Sequence, residues 1–411
     1  MTFDEAQKVI RDQFKPVFLG EEEAVLLEAY NRVLNEDIVS TLDIPPFNRS
    51  TVDGYAVKAE DTFEAEENQP VTLKVSGTVN VGEQPKVILA MGEAVEIVTG
   101  APIPEGADAS VMVEDTERES DELHVFSAVT VNENVMKKGS DIKKGEVVLK
   151  KRQVLGSSEI GVLAALGLTK VKVLKIPIVA VLSTGGEVTE PGKALPAGKI
   201  YDINAYSLST AVIECGAKPV YFGVVADDKT ALYNALQTAL ASSDMVITSG
   251  GVSVGPRDYT PQIVDSLGKP GIVVYGIAVK PGKPTTVGFV GDKPVFSLPG
   301  HPTSALLLFY LLARPLIQRL AGRPVTGMKM VRAFAGSRMF SAKGRRTFVM
   351  VKIEFDKDCR LIAEPVETGG SGAITTLVKA DGFVEIPENE QFVDVDQEVA
   401  VILFRTVSAK V

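Results

Sequence analysis

Apolar residues at Ala6, Val9 and Ile10 recur at a helical period near the start of the chain, so residues 4–14 are predicted as a helix. Ala24, Leu27, Val33 and Leu34 give the same spacing, which predicts a second helix over 20–34. The pattern then changes. Between residues 70 and 150 the runs "VTLKVSG", "AVEIVTG", "ASVMVED" and "LHVFSAV" alternate between Gly and Pro punctuation, which is the pattern of antiparallel strands. "VLGSSEIGVLAALG" returns to helical spacing, with Ser157 or Ser158 as its cap and Gly167 as its stop.

From 177 onward the pattern reads β-α-β-α-β. The strands are "IPIVAVLS", "PVYFGVV" and "DMVITSG", and helices over 204–215 and 229–241 separate them. A helix near 260–267, strands around "VVYGIAVK" and "PVFSLPG" and a long helix over 303–320 follow. Strands that are apolar on both faces imply a mainly parallel sheet covered on both sides. Beyond Gly322-Arg323-Pro324 the runs "RTFVMVKIEF", "GFVEIPEN" and "EVAVILF" predict a terminal β domain, a barrel or a small sandwich.

The expected fold class is therefore multidomain α/β plus β. It comprises a discontinuous helical and strand linking domain (1–45 with 140–176), an inserted β domain (46–139), a doubly wound α/β domain (177–324) and a β-barrel-like C-terminal domain (325–411).

Composition narrows the function classes. A chain of 411 residues exceeds one compact core, in line with two to four domains. With 53 acidic against 43 basic side chains, the net charge of -10 works against sequence-independent nucleic-acid binding. No run reaches the roughly 18 apolar residues of a membrane span. "MTFDEAQKVIRDQF" has no apolar signal core, so the chain is expected in the cytoplasm, with neither nucleic acid nor membrane as partner. Cys215 and Cys359 lack metal-ligand spacing, and His124 and His301 are the only histidines, so any metal is expected to be hard and oxygen-bound.

Four loops follow the apolar strands of the α/β domain. "STGGE" carries Ser183, Thr184, Gly185 and Glu187, and "VVADD" carries Asp227 and Asp228. "TSGGVSVGPRD" carries Ser249, Gly250, Gly251, Ser253 and Asp258, and "SLPGHPTSA" carries Pro299, His301 and Pro302. Small residues, hydroxyls and carboxylates at the ends of parallel strands mark a ligand crevice. Its chemistry is an oxyanion or phosphate held by backbone N–H groups and hydroxyls, with Pro302 opening a helix whose positive end faces it. Glu187, Asp227 and Asp258 would repel such an anion unless a divalent cation lay between, and Mg²⁺ prefers that mixture of carboxylate and phosphate oxygens. Asp227 or Asp228 has a plainer role open to it, as the cap of helix 229–241. "VKPGKPT" adds Lys280 and Lys283 on a rigid turn suited to a terminal phosphate or small oxyanion. Outside this domain, "PPFNRSTVDGYA", "VTGAPIPEGAD" and "KKGSDIKKGE" carry Asp53, Thr99 and Asp141 and suggest a second surface that meets the first.

These motifs, together with "IYDINAYSL" and "SGAITTLVKADGFVEIP", stand in the order and spacing of the molybdopterin molybdenumtransferase (MoeA) family, related to the gephyrin E domain, and the chain resembles it over essentially its whole length. The resemblance implies a MogA-like α/β domain and a homodimer whose site lies between the α/β domain of one subunit and the inserted β domain of the other. It implies a transferase that takes adenylylated molybdopterin and molybdate or tungstate, with Mg²⁺, to molybdenum cofactor and AMP. In that light Asp227, Asp258 and Glu187 match acidic positions of the pterin pocket and the Mg²⁺ site. Asp53, Thr99 and Asp141 match positions supplied by the partner subunit, Lys280 and Lys283 the basic loop, and Pro299 and Pro302 the proline loop. The molybdopterin adenylyltransferase and acceptor molybdoenzymes are the implied partners. A molybdopterin adenylyltransferase and a non-catalytic structural dimeriser are the competing readings. The chain departs from the pattern at Gly186, where the family usually has Asp or Asn, and at His301, where Asn is common.

Overall fold

The computed structural model of the chain describes residues 1–250, 259–366, 373 and 375–404. It divides into two compact units, one of Met1–Glu22, Asn31–Val33 and Val173–Val411, the other of Glu23–Tyr30 and Leu34–Lys172. No helix among the described residues is long and apolar enough to cross a membrane.

The first unit holds a six-stranded sheet in the order Lys218–Val225, Ile178–Thr184, Met245–Ser249, Lys293–Leu298, Thr286–Val290, Pro270–Tyr275. The first four strands are mutually parallel, and Thr286–Val290 runs antiparallel both to Lys293–Leu298 and to the edge strand Pro270–Tyr275, an addition to a doubly wound sheet. Helices cover both faces because the parallel strands are apolar on both. Val179 and Val181 join one cluster with Leu208, Phe296 and Phe309, while Ala180 and Leu182 join another with Leu236 and Ile263. Each fully buried Phe in this core contributes about 1.5–3 kcal/mol relative to exposure.

Helix Asn204–Glu214 lies between strands Ile178–Thr184 and Lys218–Val225 in the chain, and Lys229–Ser242 follows Lys218–Val225, where Asp228 accepts the Ala231 N–H at 2.8 Å as a cap. The run expected as one helix over 303–320 is α-helical at Pro302–Leu308 and Arg314–Leu320, with a π-helical turn at Phe309–Ala313 between them. Pro315, which has no N–H to donate, accounts for the break in the regular ladder.

The C-terminal strands close on themselves. Arg346–Phe355 pairs with Leu361–Pro365 and with Gly382–Ile386, and Met330–Ala335 and Glu398–Leu403 complete a five-stranded barrel around Val351, Ala363 and Val401. A short strand from the α/β domain, Val279–Lys280, adds in parallel to the start of Arg346–Phe355, with Val279 opposite Arg346 and Lys280 opposite Thr347. The N-terminal helix Phe3–Gln13, expected with residues 140–176, instead buries Phe3, Ala6 and Ile10 in the core of this first unit beside Val179 and Phe348.

Two further expectations are corrected. Residues 20–34 form a strand, Glu21–Val25, and a single helical turn, Leu26–Ala29, because Asn31 takes a left-handed conformation (φ 63°) that ends the helix. The helix predicted at 157 is capped at Gly156, not by a serine: its N–H is satisfied by the Glu159 carboxylate at 2.9 Å, and Ser157 is already helical.

The second unit centres on a six-stranded sheet in the order Ala109–Met112, Gly54–Val57, Glu93–Ile97, Val71–Val79, Glu122–Val125, Thr116–Glu119. Strand alternation sends Tyr55 and Val57 into one cluster with Leu73 and Leu123, and Ala56 into a second with Val95 and Ile97.

Candidate active site

Register brings the carboxyl ends of the four parallel strands to one edge. Ser183 lies opposite both Val224 and Ser249, and Ser249 opposite Leu298. Three of the loops singled out in the sequence, and the first residues of the fourth up to Gly250, therefore start side by side, where ligands bind on such sheets.

Backbone and side-chain contacts tie these loops together. Asp227, after the Lys218–Val225 strand, accepts the Gly186 N–H at 3.0 Å. Glu187 folds back over Gly185, its carboxylate 2.8 Å from where a β-carbon on that glycine would stand. Gly250 sits at φ +90°, and a β-carbon there would lie 2.1 Å from the Thr184 carbonyl oxygen, so only glycine permits this approach of the two loops. Gly251, Ser253 and Asp258 lie outside the described residues.

Asn204 is a residue that the sequence pattern did not single out. Its Nδ2 donates to Ser249 Oγ at 2.6 Å and to the Gly300 carbonyl at 2.8 Å, and Ser249 Oγ donates in turn to the Pro299 carbonyl at 3.3 Å. One buried amide so joins the end of the Met245–Ser249 strand to the proline loop. Asp202 places it, accepting the Ala205 N–H at 3.0 Å and the Tyr221 hydroxyl at 2.8 Å. Burial, and then the Asp202 carboxylate, push the Tyr221 phenol well above its ordinary range, so it stays the proton donor of that pair. Its only sequence signal was the "IYDIN" stretch that precedes a helix. Ser183 Oγ, Thr248 Oγ1 and Asn204 Oδ1 are buried with no hydrogen-bond partner among the described residues, leaving polar capacity at these strand ends.

Beside the proline loop a cavity of about 480 Å³ is lined by Lys280, Lys283, Pro299, His301, Thr303 and Ser304, and across from them by Phe340, Arg345, Thr347 and Phe348 of the barrel. Pro302 is the first residue of its helix and is buried. Arg345 was also missed. It adds a third cationic side chain to the two lysines, and only the fold brings residues so far apart in the chain together.

In the second unit the three loops meet around 45–56. Asp53 accepts the Thr99 backbone N–H at 2.7 Å, and Ser50 and Gly100 are bonded backbone to backbone at 2.8 Å. That N–H, with the Thr99 hydroxyl, holds the Asp53 carboxyl below the usual carboxylate range. Asp141 is exposed, and its own N–H donates to the Ile44 carbonyl at 3.0 Å, which seats the 137–146 loop beside the same segment.

Among the described residues no three acidic, His or Cys side chains gather into a ready-made metal site. The Glu187 carboxylate lies against Gly185 and that of Asp227 against Gly186, and carboxylates joined by substrate phosphate oxygens are the kind of donors Mg²⁺ takes.

Comparison with known proteins agrees along the whole chain. Residues 1–167 match the MoeA N-terminal region (domain I and II), 180–319 a probable molybdopterin binding domain, and 332–404 the MoeA C-terminal region (domain IV). A putative molybdopterin biosynthesis protein from Methanocaldococcus jannaschii is 35% identical, with 98% of each chain covered. The molybdopterin molybdenumtransferase of Haemophilus influenzae is 34% identical, also over 98% of each. The crystal structure of a molybdopterin biosynthesis MoeA protein from Pyrococcus horikosii superposes with a TM-score of 0.82 at 43% identity, covering 99% of this chain and 100% of that one. With its fold, its three regions and its full-length relatives in agreement, the chain belongs to the MoeA family.

Proposed function

We propose that the protein is a molybdopterin molybdenumtransferase, which converts adenylylated molybdopterin and molybdate to molybdenum cofactor and AMP. The observation that carries this reading is the alignment of the four strand-end loops, tied by Asp227, Gly250 and Asn204, beside the cationic cavity. Relatives named for this transferase match over nearly the full length, which favours it over the adenylyltransferase and the structural dimeriser.

In this reading Ser183, Thr184, Gly185, Ser249 and Gly250 cradle the pterin phosphate and the adenylate through backbone N–H groups and hydroxyls. Glu187 and Asp227, with Asp258, would hold Mg²⁺, whose charge offsets that of the pyrophosphate. Water cleaves the phosphoanhydride to leave AMP and the pterin phosphate. Lys280, Lys283 and Arg345, with His301, hold the tetrahedral oxyanion, molybdate or tungstate, close to the dithiolene sulfurs of the substrate. One oxo ligand leaves as water with the two dithiol protons, so molybdenum is neither oxidised nor reduced. The protein supplies position and charge, and the sulfur ligands belong to the substrate.

The surface carrying Asp53, Thr99 and Asp141 is proposed to complete the crevice of a second subunit in a homodimer. The adenylylated substrate would come from an adenylyltransferase and the product would pass to acceptor molybdoenzymes.

The test is AMP release and reconstitution of an apo-molybdoenzyme from adenylylated molybdopterin, Mg²⁺ and molybdate or tungstate. Release that depends on the oxyanion is expected. Consumption of ATP with free molybdopterin would move the assignment to the adenylyltransferase, and tight binding without turnover to the dimeriser.

A further inference from the structure

Two consecutive arginines stand where the barrel strand Arg346–Phe355 begins, Arg345 just before it and Arg346 as its first residue, and they part company. Arg345 lines the cationic cavity. Arg346, only 14% exposed at its side chain, turns to three carboxylates: Asp4 at 2.7 Å through both terminal nitrogens, Glu388 at 3.1 Å and Glu385 at 3.2 Å. Three carboxylates therefore already meet the Arg346 charge, outside the lining of the cavity.

The same point is anchored by the chain's first residues. Ala278 donates its N–H to the Met1 carbonyl at 2.8 Å and accepts the Arg346 N–H at 3.0 Å, so it is held on both sides two residues before Lys280. Phe3 lies under the Arg346 guanidinium at 5.4 Å and meets Phe348, a wall of the cavity, edge-on at 5.5 Å. From Ala278 the register runs Val279 to Arg346 and Lys280 to Thr347, itself a cavity residue whose Oγ1 accepts the Ala342 N–H at 3.0 Å.

We infer that the Met1–Asp4 segment is a latch for the oxyanion pocket, with Asp4 and Arg346 as positioning residues that fix the spacing of Lys280 and Arg345. The inference rests on the proposed reading of that pocket as the molybdate site. Asp4 is 66% exposed, so its pair with Arg346 adds little to global stability. What the pair does is orient the strand start from which Arg345 projects. Three cations bind a small tetrahedral anion well only at one separation, and loosening one anchor lowers affinity for that anion without touching the crevice loops.

The test compares the full-length wild type with Asp4→Asn, Asp4→Glu and Arg345→Ala. Molybdate binding is read by equilibrium dialysis, and the KM for molybdate, the KM for adenylylated molybdopterin and kcat by AMP release. Asp4→Asn is expected to weaken molybdate binding and raise its KM about fivefold, the size of one charge-assisted contact acting through position, while the adenylate KM stays unchanged. Asp4→Glu, which keeps the carboxylate, is expected to restore most of the loss. Wild-type molybdate affinity in Asp4→Asn, or a parallel rise in both KM values, overturns the latch alone if Arg345→Ala loses molybdate. If the wild type does not bind molybdate, or Arg345→Ala binds it as the wild type does, the pocket reading falls and the latch with it.

Discussion

Asp227 accepts the Gly186 backbone N–H at 3.0 Å, so a carboxylate at the end of one parallel strand holds the loop at the end of its neighbour. The side chain thus has two separable duties, shaping the loop and facing the proposed cation. Asp227→Asn retains an oxygen for the Gly186 N–H and loses the charge; Asp227→Ala loses both. Both variants are expected to lower AMP release about 10²-fold or more, with Asp227→Ala the worse. Wild-type AMP release from a folded Asp227→Ala protein, and likewise from Asp53→Ala, would remove these residues from the reaction.

Gly186 itself has no positive φ, and a β-carbon there would come no closer than 3.9 Å to Asp227 Oδ2. Gly186→Asn should therefore fold with a stability change within about 0.5 kcal/mol. Gly186→Asp places a second carboxylate beside Asp227. Its AMP release is expected to need less Mg²⁺ than that of Gly186→Asn, measured as the half-saturating concentration, because added carboxylate charge tightens cation binding.

Asn204 predicts a contrast between two substitutions. Asn204→Asp can no longer donate to Ser249 Oγ or to the Gly300 carbonyl, and it adds charge in a buried position, whereas Asn204→Ala only removes the ties. The aspartate variant should lose about 2–4 kcal/mol of stability, the alanine variant about 1–3. Denaturant unfolding gives the order, and equal losses would mean that these hydrogen bonds are not what the amide contributes.

Gly54 follows Asp53 at φ +153°, where a β-carbon would stand 2.0 Å from the Val111 carbonyl oxygen of the adjacent strand. Gly54→Ala must push two paired strands apart and is expected to cost about 3 kcal/mol, seen as a lower calorimetric midpoint. A midpoint equal to wild type would show that the strand end can shift to make room.

The Asp53 carboxyl is held below its ordinary range, first by the Thr99 backbone N–H and then by the Thr99 hydroxyl. The ionised form is favoured in the folded state, so its contribution is present above the usual aspartate value of about 3.9 and fades as pH falls through the lower folded value. Thr99→Ala removes only the hydroxyl, while Thr99→Pro also removes the N–H. A carboxyl NMR titration should find Asp53 raised slightly in the first and more in the second.

Much of this was legible in the chain because the signals were local. Apolar runs followed by small-residue loops placed four parallel strand ends, and the Asp before helix 229–241 marked its cap. Asn204, Arg345 and Asp4 were not legible, since each matters through a partner distant in sequence: Ser249 and Gly300, the Lys280 turn, and Arg346. The misread helix over 20–34 has a different cause. Its apolar spacing is genuine, but Leu27 is 87% exposed and so had no core to drive it, and Asn31 turned the chain away.

The strand Val279–Lys280 belongs by chain order to the α/β domain and by hydrogen bonding to the barrel. The two domains are therefore not interchangeable parts. A chimera that keeps residues 177–324 and grafts on the barrel of a distant relative would replace the scaffold on which its own lysine turn is built. Recombination at the natural-looking joint after Gly322-Arg323-Pro324 cuts through one mechanical element, and inheritance of this fold should keep the two pieces together.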